Sequence, residues 1–257
     1  MNVNILDAAA VFAAGVAAGG INTIVGSGSL ITFPTLVALG YPPVVANVSN
    51  NLGLVPGNAS GVYGYRRELK GQRERLLRLG AASLVGGLTG ALLLLTLPAE
   101  AFKIIVPGLI GIAVVLVIVQ PRMQKWVLAR REQHSPHGGA WLWLGVLGAG
   151  MYGGYFGAAQ GVILIAMLAI ALDDDLQSLN AVKNVLATVV NTVAALLFVL
   201  MWAIGRTDVS WAAALLIAVG SSLGGLLGAT LGRRIPPTVL RGVIVAVGVL
   251  AIVNLLA

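Results

Sequence analysis

The chain repeats itself, and the repeat restricts what it can fold into. Asn47, Asn51 and Asn58 recur 133 residues later as Asn180, Asn184 and Asn191, and the same offset carries Gly15 onto Gly148, Gly20 onto Gly153 and Gly28 onto Gly161. A second offset of 138 residues carries Gly86-Gly87-Leu88, Gly90 and Pro98 onto Gly224-Gly225-Leu226, Gly228 and Pro236, with Lys103 falling on Arg241. A loop-length difference between the third and fourth segments accounts for the change of offset. The fold must therefore accommodate two copies of one unit. Only 10% of the 257 residues are charged and 58% are hydrophobic, whereas a soluble domain carries about 25% charge. Lipid demands that every backbone polar group be satisfied within the chain. An all-α, polytopic membrane bundle of two repeats follows.

Ten apolar segments divide evenly between the halves. They run near 5–24, 28–40, 44–64, 76–97 and 101–119, then near 140–157, 161–172, 178–203, 210–231 and 238–256. The expected organisation is a first membrane repeat over 1–119, a basic cytoplasmic loop over 120–139 and a second repeat over 140–257. The second segment of each half is shorter than the roughly 20 residues that cross a bilayer. Each follows a glycine-rich break, Gly26-Ser27-Gly28-Ser29 in one half and Gly153-Gly154 through Gly157 to Gly161 in the other. Short, glycine-interrupted segments at matching places in two halves point to a transporter's binding site.

Charge orients the halves. The net charge of +7 comes from short basic loops between apolar segments, the positive-inside pattern, and not from a nucleic-acid-binding face. Arg66, Arg67, Lys70, Arg73 and Arg75 follow the third segment, while Arg122, Lys125, Arg130 and Arg131 follow the fifth. With both groups in the cytoplasm the turn at Pro98 is external, and Arg233-Arg234 of the equivalent second-half turn fall inside. Each half then makes an odd number of crossings, the halves are inverted relative to each other, and both termini are expected in the periplasm. The N-terminus lacks the basic residues of a cleaved signal sequence, so the first segment is expected to be retained.

Three sets of residues are candidates for binding. The breaks at Ser27, Gly28 and Ser29 and at Gln160 and Gly161 open onto helix N-termini, whose partial positive charge favours anions. The glycines at 86, 87 and 90 and their partners are expected only to let helices pack closely. On a helix the intervals of four and seven bring each asparagine set within roughly 40° of one face. Such a stripe can replace a ligand's hydration shell, or bond helix to helix; the binding role is the one adopted. Lys183 lies beside the second stripe, and its first-half counterpart is Asn50. An intramembrane cation is a functional candidate. Pairing with Asp173, Asp174 or Asp175, or snorkelling to the interface, would explain it equally well.

Other chemistry is poorly supported. There are no cysteines, and no Asp or Glu sits well inside a segment, which argues against a proton relay of buried carboxylates. His134 and His137 share a basic loop and are too few for a metal site. There is no phosphate-binding loop for ATP. No catalytic residue, metal or cofactor is expected.

The run from Gly19-Gly20 through Val25-Gly26-Ser27-Gly28-Ser29 to Pro34, the Ala46–Asn51 start of the third segment and the degenerate second copy resemble the sulfite exporter TauE/SafE family of bacterial inner-membrane permeases. Here Ser27 and Ser29 interrupt the usual triple glycine, and the second copy reads Gly157-Ala-Ala-Gln160-Gly161. The resemblance implies export of sulfite or a small organosulfonate across the bacterial inner membrane. The expected partners are that anion and the lipid bilayer, not nucleic acid; the sequence leaves the oligomeric state open, a homo-oligomer included. An anion channel is the nearest alternative, and an intramembrane enzyme or assembly scaffold a more distant one.

Overall fold

The computed structural model describes residues 4–129 and 139–231, together with 242, 244–247, 249–250 and 252–253. His134, His137, Arg130, Arg131, Arg233, Arg234, Pro236 and Arg241 lie outside the described residues, as does most of the tenth segment. The described residues are helical, with no strand. The helices are α1 (Ile5–Ile24), α2 (Ser29–Ala38), α3 (Pro43–Gly64), α4 (Arg73–Thr96) and α5 (Ala99–Ala129), then α6 (Ala140–Tyr155), α7 (Gln160–Ala171), α8 (Leu176–Ala203) and α9 (Trp211–Leu231). Helix starts keep both sequence offsets, Pro43 to Leu176 at 133 and Arg73 to Trp211 at 138.

Local chemistry sets the ends. Pro43 opens α3 at a position where no N–H is needed. Asp175 caps α8, its Oδ1 accepting from the N–H groups of Gln177 at 2.9 Å and Ser178 at 3.1 Å. The Ser178 hydroxyl and N–H hold the Asp175 carboxyl below its ordinary range. Two boundaries depart from expectation. α5 continues through Pro121 to Ala129, so residues 120–129 are helix and not loop; a proline inside a membrane helix removes one hydrogen bond without ending it. α3 has the length to cross, yet it is absent from the five helices among the described residues that are apolar enough to do so, which are α1, α4, α8 and the stretches Glu100–Arg122 and Trp211–Thr230. Its buried asparagines and serines, Asn47, Ser49, Asn50, Asn51 and Asn58, make it an interior helix. At 10 and 12 residues, α2 and α7 reach only about 15 and 18 Å.

The halves interlock. The first helix of each half packs on the fourth helix of the other, α1 on α9 and α6 on α4. Along α1 and α9 the contacts advance together, Gly15 on Ile217, Gly19 on Ser221 and Gly20 on Gly224. α3 follows α9 in the same sense, Gly53 on Ile217, Gly57 on Ser221 and Gly64 on Ala229. Along α4 and α6, Gly86 meets Leu147 and Gly90 meets Met151. These pairs are parallel. α3 and α8 run the other way, since Asn51 bonds to Asn191 while Tyr65 clusters with Ala181. At one end Arg75 pairs with Asp174; elsewhere the Ser210 N–H donates to Ser49 Oγ at 2.9 Å.

Gly86, Gly87 and Gly90 act as packing positions, as expected. A Cβ at any of them would press on the backbone of α6 or α8. Gly154→Val should lower the melting temperature, because its Cβ meets the Gly87–Ala91 backbone and overpacking costs about 1–3 kcal/mol. Gly148→Ala on the same helix, with nothing within 4 Å, should leave it unchanged. Thermal unfolding of the two variants in detergent checks the packing.

Candidate functional site: a polar crossing between two broken helices

Both breaks meet at one point. α1 ends in a turn where Gly26 takes a φ of 87°, a left-handed conformation that costs glycine little. The N–H of Gly161, at the start of α7, donates to the Gly26 carbonyl at 3.0 Å. A Cβ on either glycine would strike the other's backbone, so only glycine permits the crossing. The residue equivalent to Gly26 is Ala159, which holds a φ of 60° and stores strain of about 1–3 kcal/mol beside the crossing.

Helix ends from one half are held by asparagines of the other. Asn47 Nδ2 donates to the Tyr155 carbonyl at 2.9 Å, closing the end of α6. Its repeat partner Asn180 donates to the Thr23 carbonyl at 3.2 Å, closing the end of α1. Asn184 adds a bond to the same carbonyl at 3.4 Å. Lys183 is 1% exposed, and its Nζ donates to the carbonyls of Asn22 and Thr23, each at 3.2 Å. A cation at a helix C-terminus is favoured by the dipole and by bare carbonyls.

Lys183 therefore neither snorkels nor pairs with the aspartates. Asp174 is engaged by Arg75 and Asp175 by the start of α8. Among the described residues no aspartate or glutamate is buried. An ammonium has three donors, and two are bonded to carbonyls. Its counterpart Asn50 does something else: its Nδ2 donates to Ser29 Oγ at 3.3 Å, and its Oδ1 accepts from the Thr32 hydroxyl.

The remaining candidates surround the crossing. Asn51 Nδ2 donates to Asn191 Oδ1 at 3.3 Å, joining the stripes. Asn58 Oδ1 accepts from Asn22 Nδ2. Several buried polar atoms have no partner: Ser27 Oγ, Asn51 Oδ1, Asn58 Nδ2, Gln160 Nε2 and the Tyr155 hydroxyl. Ser27 and Gln160 occupy equivalent positions in the two breaks. Orphaned buried polar groups are rare and call for a reason; most of these can donate. Gly28 N–H is bonded to Asn22 Oδ1 at 3.3 Å. Gly161 N–H is likewise engaged, by the Gly26 carbonyl.

Asn22, Thr23 and Tyr155 were not picked out in the sequence. Asn22 falls opposite Tyr155 in the repeat, and Thr23 opposite Phe156, so a search for matched residues passes over them. Phe33, Phe102, Tyr155 and Phe156 form an edge-to-face cluster beside the second break, with Phe33 and Phe156 5.1 Å apart. It ties α2, α5 and the end of α6 together.

A helical bundle whose apolar shell encloses a polar centre at two broken helices is a membrane transporter by architecture. The family model for the sulfite exporter TauE/SafE matches residues 11–255, and the chain belongs to that family. It is 28% identical over 244 residues to the probable membrane transporter protein YfcA of Escherichia coli K12, covering 93% of this chain and 86% of that protein. A probable membrane transporter protein of Haemophilus influenzae is 26% identical over 248 residues, 95% of this chain and 92% of the relative. No solved structure matches the chain. The chain is thus a multi-pass transporter of the bacterial inner membrane, and not an enzyme.

Asn47 and Asn58 separate holding from binding. Asn47→Ala strips the Tyr155 carbonyl of its donor and should lower stability by about 1–3 kcal/mol without changing anion affinity. Asn58→Ala removes both the unpartnered Nδ2 and the Oδ1 that accepts from Asn22, and should lower the melting temperature and weaken binding of the proposed anion together. Calorimetric titration alongside thermal unfolding distinguishes the two.

Proposed function

We propose that the chain is a secondary transporter that exports a small anion, sulfite or an organosulfonate, from cytoplasm to periplasm, and that the anion binds at the crossing of the two breaks. The observation that carries this is Lys183: a fully buried lysine with no carboxylate partner among the described residues, together with buried, unpartnered donors on Ser27, Asn58 and Gln160. A buried charge without a counter-ion is expensive. The end of α1 offsets part of that, and a bound anion would offset more. Asn51, Asn191 and Asn184 complete the wall, while Asn47 and Asn180 brace it. Gly28, Ser29 and Gly161 set the backbone path.

Inverted halves suit this role, and the packing supports them. α4 and α9 are repeat equivalents, yet α9 runs parallel to α3, from which α4 turns back through a short loop. The antiparallel course of α3 and α8 agrees with it. So does the Arg75–Asp174 pair, which joins the loop after α3 to the one before α8. The centre is also closed, with Asn51 8% and Asn58 7% exposed, which favours alternating access over an open channel. Export of an anion from a negative interior is downhill by about 2.3 kcal/mol per charge per 100 mV, so no buried carboxylate is needed for coupling.

Purified protein in proteoliposomes, screened for flux of sulfite, methanesulfonate, sulfate and acetate, tests the reading. Wild type should carry sulfite or the sulfonate in preference to acetate. Lys183→Gln should cut affinity for a dianion more than for a monoanion, because the lost attraction is Coulombic and weakly screened in a dry centre. Lys183→Arg should recover part of it. Flux of none of these anions, or equal losses for mono- and dianions, removes the site from this place.

A further inference from the structure

Asn22, in the last turn of α1, touches both the break and the first asparagine stripe. Its bonding pattern has a fixed direction. A backbone N–H can only donate, and the Gly28 N–H faces an Asn22 side-chain atom at 3.3 Å. That atom must be the carbonyl Oδ1. The other end of the carboxamide is then Nδ2, a donor, and it faces Asn58. Asn58 must answer with its own Oδ1. Its Nδ2 is left buried, without a partner, in a side chain 7% exposed. One glycine N–H thus sets the orientation of two carboxamides in series. Turned the other way, Asn58 would offer an acceptor where it now offers a donor.

We infer that Asn22 is a positioning residue for selectivity: it locks Asn58 with its amide donor free for the transported anion. This rests on the anion site proposed above. The second half has no such relay. Tyr155 stands in place of Asn22 and has no carboxamide to orient Asn191, which instead accepts from Asn51. The donor fixed by the Gly28–Asn22–Asn58 chain therefore belongs to one half alone, the half whose α1 end is held by Lys183. The relay and the ammonium converge on Asn22 from opposite ends, one through its side chain and one through its carbonyl.

A double-mutant cycle between Asn22 and Asn58, read by calorimetric titration of methanesulfonate, tests this. Methanesulfonate stays a monoanion throughout the working pH range. Asn58→Ala and Asn22→Ala should each weaken binding about tenfold, the scale of one hydrogen bond to a charged group. The double variant should also lose about tenfold and not about a hundredfold, because Asn22 acts only through Asn58. Additive losses, or an Asn22→Ala protein that binds like wild type, overturn the relay while leaving the anion site standing. Wild type that binds none of sulfite, methanesulfonate or sulfate overturns both. Asn22→Asp provides a second cycle should Asn22→Ala not fold. It keeps the Gly28 bond but presents an acceptor to Asn58, turning the Asn58 carbonyl outward. It should weaken binding more than Asn22→Ala does. In an Asn58→Ala background it should add only the penalty of its charge, and an undiminished loss there overturns the relay.

Discussion

A single backbone hydrogen bond, from Gly161 N–H to the Gly26 carbonyl, joins the two breaks of this transporter. It requires that neither residue carry a Cβ, and that α1 and α6 both end where the chain is buried. Much of the polar interior follows from those buried helix ends. A helix that ends inside a bundle leaves carbonyls behind and N–H groups ahead, and an apolar shell supplies partners to neither. The asparagine stripes of α3 and α8 are the answer on the carbonyl side. Asn47 holds the end of α6, and Asn180 with Asn184 holds the end of α1. Each stripe serves the other half's helix. Neither copy is complete alone, which gives the duplication a physical reason.

The symmetry is broken where function would need it broken. At one position the second half has Lys183 and the first has Asn50; at another the first has Asn22 and the second has Tyr155. Both departures fall on the end of α1. One side of the crossing therefore carries a lysine amine and the other a carboxamide, inside a shell where among the described residues no carboxylate is buried. That asymmetry is what the proposed anion site rests on. Lys183 also ties this centre to the backbone, since its Nζ is bonded to the carbonyls of Asn22 and Thr23. Drawing Lys183 toward a ligand would loosen the end of α1, which gives occupancy a route to the conformation of the break.

Most of the architecture was legible in the sequence because membrane helices announce themselves by apolar length. The boundaries of α1, α3, α8 and α9 fall within two residues of those expected, and the short α2 and α7 appear where the glycine breaks placed them. The course of α5 past Pro121 was not legible, since proline and basic residues usually end an apolar run. The site was legible only in part. Repetition picked out the asparagines, but it could not tell bracing from binding: Asn47 and Asn51 share a helix face and differ only in what lies opposite. The same reliance on matched residues hid Asn22. Lys183 was visible as an anomaly, while its partners, two main-chain carbonyls from 160 residues away, have no side-chain signature.

The proposed function puts an anion at the crossing. Crystals grown with selenite, the heavier analogue of sulfite, would locate it by anomalous scattering. A single selenium peak is expected in the membrane interior, within hydrogen-bonding reach of Ser27, Asn58, Gln160 and Lys183 Nζ. A crossing that stays empty, with selenium only at the basic Arg66–Arg75 loop or elsewhere on the surface, would contradict it.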